Sequence, residues 1–224
     1  MQKSAPEPRV PLSRDRVLRA AVAIADQDGI ESVTMRRIGE TLSAEAMSLY
    51  YHVANKNDLL DGLVDLVMTE INDVVDRIDL AGADWKQAMR RRILSAREIM
   101  LRHRWAPALF ETRTTMSPAV VRYHDRLVGL MHDGGFSYDL AHHALHALGS
   151  RALGFSQELF DPAAGAGAES ERMLVDLADQ VPNLVGMLTE IAHDDPGSTL
   201  GWCDDQAEFE FALDLILDGL DRLR

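Results

Sequence analysis

At 224 residues the chain can hold one large domain or two modest ones, and a hydrophobic content of 46% excludes disorder along its whole length. Its single cysteine, Cys203, excludes an intramolecular disulfide and a multi-thiolate metal site within one chain, which fits a reducing cytoplasm. The net charge of −13 argues against nucleic acid, but residues 1–58 are neutral, with eight Lys/Arg and eight Asp/Glu, while 59–224 carry 15 against 28. An acidic body behind a neutral head suggests two jobs, with any anion met by the head.

The opening "MQKSAPEPRVPLSR" is polar and broken by proline, so residues 1–12 read as a flexible basic tail rather than a signal peptide. Residues 14–28 place Val17, Leu18, Ala21, Ile24 and Ala25 on one helical face, with Ser13 to cap the start and Gly29 to end the helix in the left-handed conformation. Thr34 can cap a short helix over 35–42, and a break at Ser43-Ala44 precedes a very short helix over 45–51. Asn55, with Asp58 in capping-box spacing, opens a helix over about 56–76 whose stripe is Leu60, Leu63, Val64, Val67, Ile71 and Val74.

Gly82 marks a boundary. Helices are expected near 84–103, 106–112, 117–133 and 137–159, with Asp84 and Ser117 as caps and Gly134-Gly135 as a stop. A small-residue loop at 161–170 leads to helices near 171–180 and 182–193, and a last helix covers about 206–223. No apolar run approaches the ~20 residues that span a bilayer, so no membrane partner is expected. With no strand-like alternation the expected class is all-α: a three-helix head over 13–58, a linking helix to about 76, and a larger helical domain over 77–224.

Two short helices around a tight turn form a helix-turn-helix, which presents its second helix to the major groove. That helix is "EAMSLYY", too short to be stable alone, with Leu49 as its one inward anchor. Taken singly, Tyr50 or Tyr51 could be a core aromatic, His52 a structural histidine, Arg37 a solvated charge and Glu45 a helix-start residue. The set, rather than any member, points to DNA.

The run "TMRRIGETL…LYYHVANKNDLLDGL" resembles the DNA-binding head of the tetracycline-repressor (TetR) family, on Thr34 and Arg36, Leu49-Tyr50 with His52-Val53, Asn55-Lys56 and Leu59-Leu60. "HRWAPALFETR", "GGFSYDLAHHALHALG" and "FEFALDLILDGLDRL" resemble, more weakly, the regulatory domain of the tetracycline repressors proper. The resemblance implies a DNA surface of Thr34, Met35, Arg36, Arg37, Glu45, Ala46, Met47, Ser48, Tyr50, Tyr51, His52 and Lys56. Arg36 would read a base edge, most often guanine; Ala46 and Met47 could touch thymine methyls. Thr34, Ser48, Tyr50, Tyr51, His52 and Lys56 would hold or pack on the backbone. One departure is Ser43, where the family usually has glycine: either serine accepts a left-handed conformation or the turn, and with it the reading helix, is distorted.

The resemblance further implies a homodimer whose helices near 137–159 and 206–223 pair with their twins. Ala141, Leu145, Leu148, Ala152, Leu213, Ile216, Leu217 and Leu220 are expected at that interface, along with Phe155 and Phe209. The partners implied are a palindromic double-stranded operator and a small apolar or amphipathic effector. Met68, Asn72, Met89, Ile93, Met100, Phe110, Met116, Met131 and His146 could line its pocket. Asn72 and Phe110 fall where tetracycline repressors carry drug- and metal-gripping histidines, so a tetracycline–magnesium site is not expected, and neither is any cofactor. His142, His143 and His146 lack a carboxylate to complete a metal set. No phosphate-binding loop or nucleophile motif occurs, and Cys203 has no evident base, so no catalytic residue is expected. The competing reading is a small-molecule binding protein of the same fold that no longer reads DNA, kept open by Ser43 and by the apolar Ala46-Met47 pair.

Overall fold

The computed structural model describes residues 11–113, 117–154, 179–183, 186 and 205–224. The tail up to residue 10, the loop at 161–170, most of the helices expected near 171–180 and 182–193, Met116, Phe155, Cys203 and the side chain of Ala152 lie outside the described residues. Among those described, every regular element is helical, and no helix is long and apolar enough to cross a membrane.

Packing divides the chain into two compact units, 1–134 and 135–224. In the first, α1 (Arg14–Asp28) is followed by a single 3-10 turn, Ile30–Ser32, and then by α2 (Met35–Leu42), α3 (Ala46–Leu49), α4 (Lys56–Val75), α5 (Trp85–Arg102), α6 (Ala106–Thr112) and α7 (Pro118–Asp133). The expected caps form at Ser13, Thr34, Asn55, Asp84 and Ser117, each side chain accepting from a backbone N–H near the start of its helix. Gly29 departs from expectation. Its φ of 82° comes with ψ of 161°, so the chain leaves α1 extended, in a region that only glycine occupies readily.

The expected division at 77 falls just past the end of α4, inside the first compact unit. That helix packs on α1, α5, α6 and α7. Gly62 allows the first contact: a Cβ there would lie 2.6 Å from the Leu18 side chain. Val17, Ile38, Leu49, Val53 and Leu63 of the head share one continuous core with Ile71, Ile99, Trp105 and Leu109 of the body.

The second unit contains α8 (Tyr138–Gly154) and α9 (Asp205–Asp221), packed together. Their contact is built on Ala141, Ala144 and Leu148 from α8 and on Phe209, Leu213, Leu217 and Leu220 from α9, all buried.

Candidate nucleic-acid interface

The turn between α2 and α3 settles the Ser43 question. Ser43 is left-handed (φ 52°, ψ 45°), the one non-glycine residue of positive φ among those described. Two hydrogen bonds close the turn: Ser43 N–H to the Glu40 carbonyl at 3.2 Å and Ala44 N–H to the Gly39 carbonyl at 2.9 Å. The second is the long bond of a Schellman ending, which satisfies carbonyls the helix leaves open. Gly39 makes this possible, since a Cβ there would stand 2.7 Å from the Ala44 carbonyl oxygen. The glycine that the turn needs therefore sits inside α2, four residues before the left-handed position. Sequence reading looked for it only at 43.

The reading helix is shorter than the expected 45–51. It spans Ala46–Leu49, and Tyr50 to His52 continue as a turn. Leu49 is wholly buried and pins it, while Met47 is 74% and Tyr51 90% exposed. Arg36 projects from the exposed face of α2, where its Nε donates to Glu40 at 2.9 Å. Lys56 is exposed at the first turn of α4, whose open amides favour an anion. Arg36, Met47, Tyr50, Tyr51 and Lys56 thus form an exposed set on α2, α3 and the start of α4.

Other residues of the expected surface are committed elsewhere. Arg37 pairs with Asp28 and ties α2 to the last turn of α1, so it is not a free charge. Met35 is half-buried against the core. The Thr34 hydroxyl accepts from Arg37 N–H, and the Ser48 hydroxyl donates to the Glu45 carbonyl at 2.6 Å. Ala46 is half-buried, and its backbone lies against Gly39. Glu45 is exposed and caps nothing with its side chain.

Sequence reading missed a clamp beside this helix. Arg14 of α1 donates to both oxygens of Asp58, at 2.7 and 3.0 Å, and to the His52 carbonyl at 3.0 Å. Asp58 Oδ2 also accepts from Ala54 N–H at 2.7 Å, so the expected capping-box bond back to Asn55 N–H is replaced. The Arg14 guanidinium, with help from Ala54 and against some desolvation, holds the Asp58 carboxyl below the usual carboxylate range. The end of the reading turn is thereby fixed to α1 and α4 together.

In the α4–α7 part of the body, Met68, Met89, Ile93 and Met131 are buried as expected of pocket or core, and Met100 and Phe110 are half-buried on the shared core. Polar groups interrupt this apolar layer. Asn72 is buried, its amide N–H donates to the Ala119 carbonyl at 2.9 Å, and its Oδ1 has no protein partner. Buried Arg92 donates to the Val75 carbonyl and to Asp76, leaving its Nε unpaired. Burial works to raise Asp76, but bonds from Arg122 and Arg92 outweigh it and hold the carboxyl low. Desolvation pushes the Tyr123 phenol up to about 12 against the pull of the Arg92 charge. Where α5 meets α6, the buried His103 ring lies 2.7 Å from Asp26 and 3.2 Å from Glu70, and Trp105 Nε1–H donates to the same Asp26 oxygen.

In the second unit, Ala141, Leu148, Leu213, Leu217 and Leu220 are buried within one protomer, and Leu145 and Ile216 are half-buried. The stripe expected between protomers is thus largely monomer core. The exposed apolar pair on α9 is Phe211 (63%) and Leu215 (58%). His146 is exposed on α8 rather than enclosed, its ring edge-on to His142 at 4.6 Å between centroids. Among the described residues no group of three or more His, Cys, Asp or Glu could hold a metal ion.

A reading helix held by one buried leucine, an arginine-bearing helix before it and an exposed lysine at the next helix start define a helix-turn-helix DNA-binding regulator. Residues 17–63 match the family of bacterial regulatory proteins named tetR, and 79–224 match the tetracyclin repressor-like C-terminal domain. The chain belongs to the tetracycline-repressor family and is a DNA-binding transcriptional regulator. It is 32% identical over 125 residues to an HTH-type transcriptional regulator of Saccharopolyspora erythraea, over 56% of this chain and 51% of that one, so it spans about half that relative's length. It is 29% identical to tetracycline repressor protein class C of Escherichia coli, over 95% of this chain and 92% of that one. The fold matches the Streptomyces coelicolor TetR family protein ActR in complex with actinorhodin, with a TM-score of 0.72, 27% identity, and 94% and 96% of the two chains covered.

Proposed function

We propose that the chain acts in the cytoplasm as a homodimeric repressor, binds a palindromic operator, and releases it when a small molecule enters the α4–α7 layer. It has no catalytic role. The observation that carries the DNA part is the exposed set around a wholly buried Leu49: Arg36 for a guanine edge, Met47 for thymine methyls, Tyr50, Tyr51 and Lys56 for the backbone. Because so few groups of the reading helix can hydrogen-bond to bases, DNA shape carries part of the specificity. The competing carrier reading loses one of its two grounds, since the Ser43 turn closes with ordinary hydrogen bonds.

The effector is amphipathic. The layer is apolar, yet Asn72 Oδ1 is a buried acceptor without a partner, and leaving such a group unpaired costs about 1–3 kcal/mol. A ligand hydroxyl answers that atom. ActR, of similar fold, is seen in complex with actinorhodin, and a relative of similar sequence is named a tetracycline repressor protein, which supports a small-molecule effector. The Phe110 position supplies no metal ligand, so the grip on the effector is made without a metal. Dimerisation uses the Phe211/Leu215 face of α9, the apolar surface that the protomer itself leaves open.

The test is selection of duplexes from a random pool, followed by titration over a range of salt concentrations. Recovery of an inverted repeat, with affinity falling steeply as salt rises, is the expected result. Failure to enrich any duplex sinks the repressor reading and leaves the carrier.

A further inference from the structure

We propose that Glu40 is a positioning residue for DNA reading: it holds Arg36 by one nitrogen, so that the fork of the guanidinium stays open for a guanine edge. The proposal rests on the DNA-binding reading above, with Arg36 as the base reader.

Both residues are exposed on α2, one turn apart. Arg36 Nε donates to Glu40 Oε1 at 2.9 Å, and no other group bonds to the Arg36 side chain among the described residues. A guanidinium has one N–H on Nε and two on each terminal nitrogen. Glu40 takes the first and leaves the terminal pair, Nη1 and Nη2, free. A pair of N–H donors side by side is what arginine needs to grip O6 and N7 of guanine together. The neighbouring Arg37 shows the opposite arrangement: it gives Nη2 to Asp28, which occupies its terminal fork.

Stability does not account for Glu40. It stands in the last turn of α2, where the negative end of the helix dipole disfavours a carboxylate. A basic residue first and an acidic one four later is also the weaker order for supporting a helix. The two side chains are 88% and 62% exposed, so packing does not hold the pair, and in water such a contact adds little. On a surface that meets DNA, a carboxylate also repels phosphate. Glu40 is thus unfavourable for the helix and for the complex, and its side chain bonds to the base-reading arginine and to nothing else among the described residues. Its effect on that arginine is what explains it. Before binding, the bond restricts a long side chain and lessens the ordering that binding demands. Against DNA, water leaves and the same bond strengthens.

The experiment uses a duplex selected by wild type and its variants at the base pair where Arg36→Ala relaxes discrimination. Affinities are measured for wild type, Glu40→Ala, Glu40→Gln, Arg36→Ala and the double variant R36A/E40A. E40A is expected to bind unrelated DNA more tightly, because a negative charge is gone, yet to lose about three- to tenfold of the discrimination at that base pair. E40Q is expected to gain the same non-specific affinity and keep the discrimination, since its amide oxygen still accepts from Nε–H. An effect of charge alone would treat the two variants alike. In the R36A background, E40A is expected to leave the residual discrimination unchanged. Melting temperatures should hardly move, because both side chains are exposed. Wild-type discrimination in E40A, an E40Q that loses as much as E40A, or a further loss in R36A/E40A overturns the proposal. A wild type that enriches no duplex, or an R36A that discriminates as well as wild type, overturns the reading beneath it instead.

Discussion

The reading helix α3 and the final helix α9 make opposite use of their apolar residues. In α3 a single leucine is buried, and the residues around it, Met47, Tyr50 and Tyr51, stand out from the fold. In α9 the whole regular stripe of Phe209, Leu213, Leu217 and Leu220 is buried within the protomer, and the residues left over, Phe211 and Leu215, are just as apolar. A helix with one anchor is displayed by its neighbours. A helix with one stripe inward and a second apolar pair outward keeps an apolar surface that the protomer does not cover. Exposure, not periodicity, separates the surface that meets DNA or a twin from the surface that makes the core.

The sharpest way to break this comparison is at α9. Phe211→Glu with Leu215→Glu leaves the inner stripe intact but places charge on the exposed pair. The protein is expected to remain helical, to sediment as a monomer, and to lose operator affinity by at least about 100-fold, since two linked heads bind far more tightly than one. Leu213→Glu, by contrast, should unfold the second unit. A double variant that stays dimeric returns the interface to another face of the molecule.

The next largest effect is expected at Arg36. Replacing it with Ala removes a side chain that contacts little of the protein beyond Glu40, so thermal stability should hardly move. Each half-site should lose about 1–3 kcal/mol, with discrimination relaxed at one base pair in each. The same substitution at Arg37 should reverse the pattern, because Arg37 serves the α1–α2 contact: stability falls first, and affinity falls only with it. Fluorescence anisotropy and melting curves on the two variants separate the roles.

Much of this was legible in the residues. Helix caps and stops could be placed because serine, threonine, aspartate and asparagine satisfy open amides at short range, and Leu49 could be named as anchor because its helix offered no other. What could not be read depends on contacts between distant segments. The Arg14–Asp58 clamp crosses 44 positions and the His103–Asp26 link crosses 77. No local pattern marks either one. Arg36 and Arg37 are adjacent and chemically identical, yet one faces outward and the other meets Asp28. Only the position of α1 distinguishes them. The α9 stripe was visible as a stripe, but whether α8 of the same protomer or a twin covers it is a tertiary fact.

A smaller effect is expected from the clamp. Asp58 has its carboxyl held below its ordinary range in the folded protein, so it contributes stability above the unfolded-state value near 3.8, and that contribution is lost as pH falls through the lower folded value. Urea melts from about pH 6 down to about pH 3 should therefore show a steeper acid loss for wild type than for Asp58→Asn. Near neutral pH the variant should be less stable by about 1 kcal/mol, kept small because the Arg14 side chain is half open to solvent. Equal acid slopes for the two proteins would mean that the clamp adds nothing to the head.

The smallest and most discriminating change is Ser43→Gly. A non-glycine residue in the left-handed region costs about 1–2 kcal/mol, and glycine at that position removes the cost. Glycine also loses more freedom on folding, which offsets about 0.4–1 kcal/mol of the gain. The net expectation is a rise in stability of about 0.5–1 kcal/mol, read as a small upward shift in the melting temperature. Gly39→Ala should do the opposite, since its Cβ would press on the Ala44 carbonyl oxygen that the turn cannot move. Operator affinity should be unchanged in S43G, because Ser43 already has the geometry that glycine would adopt. A gain in affinity would mean instead that serine holds α3 away from its reading position, and that the exposed set around Leu49 is not yet the surface that DNA meets.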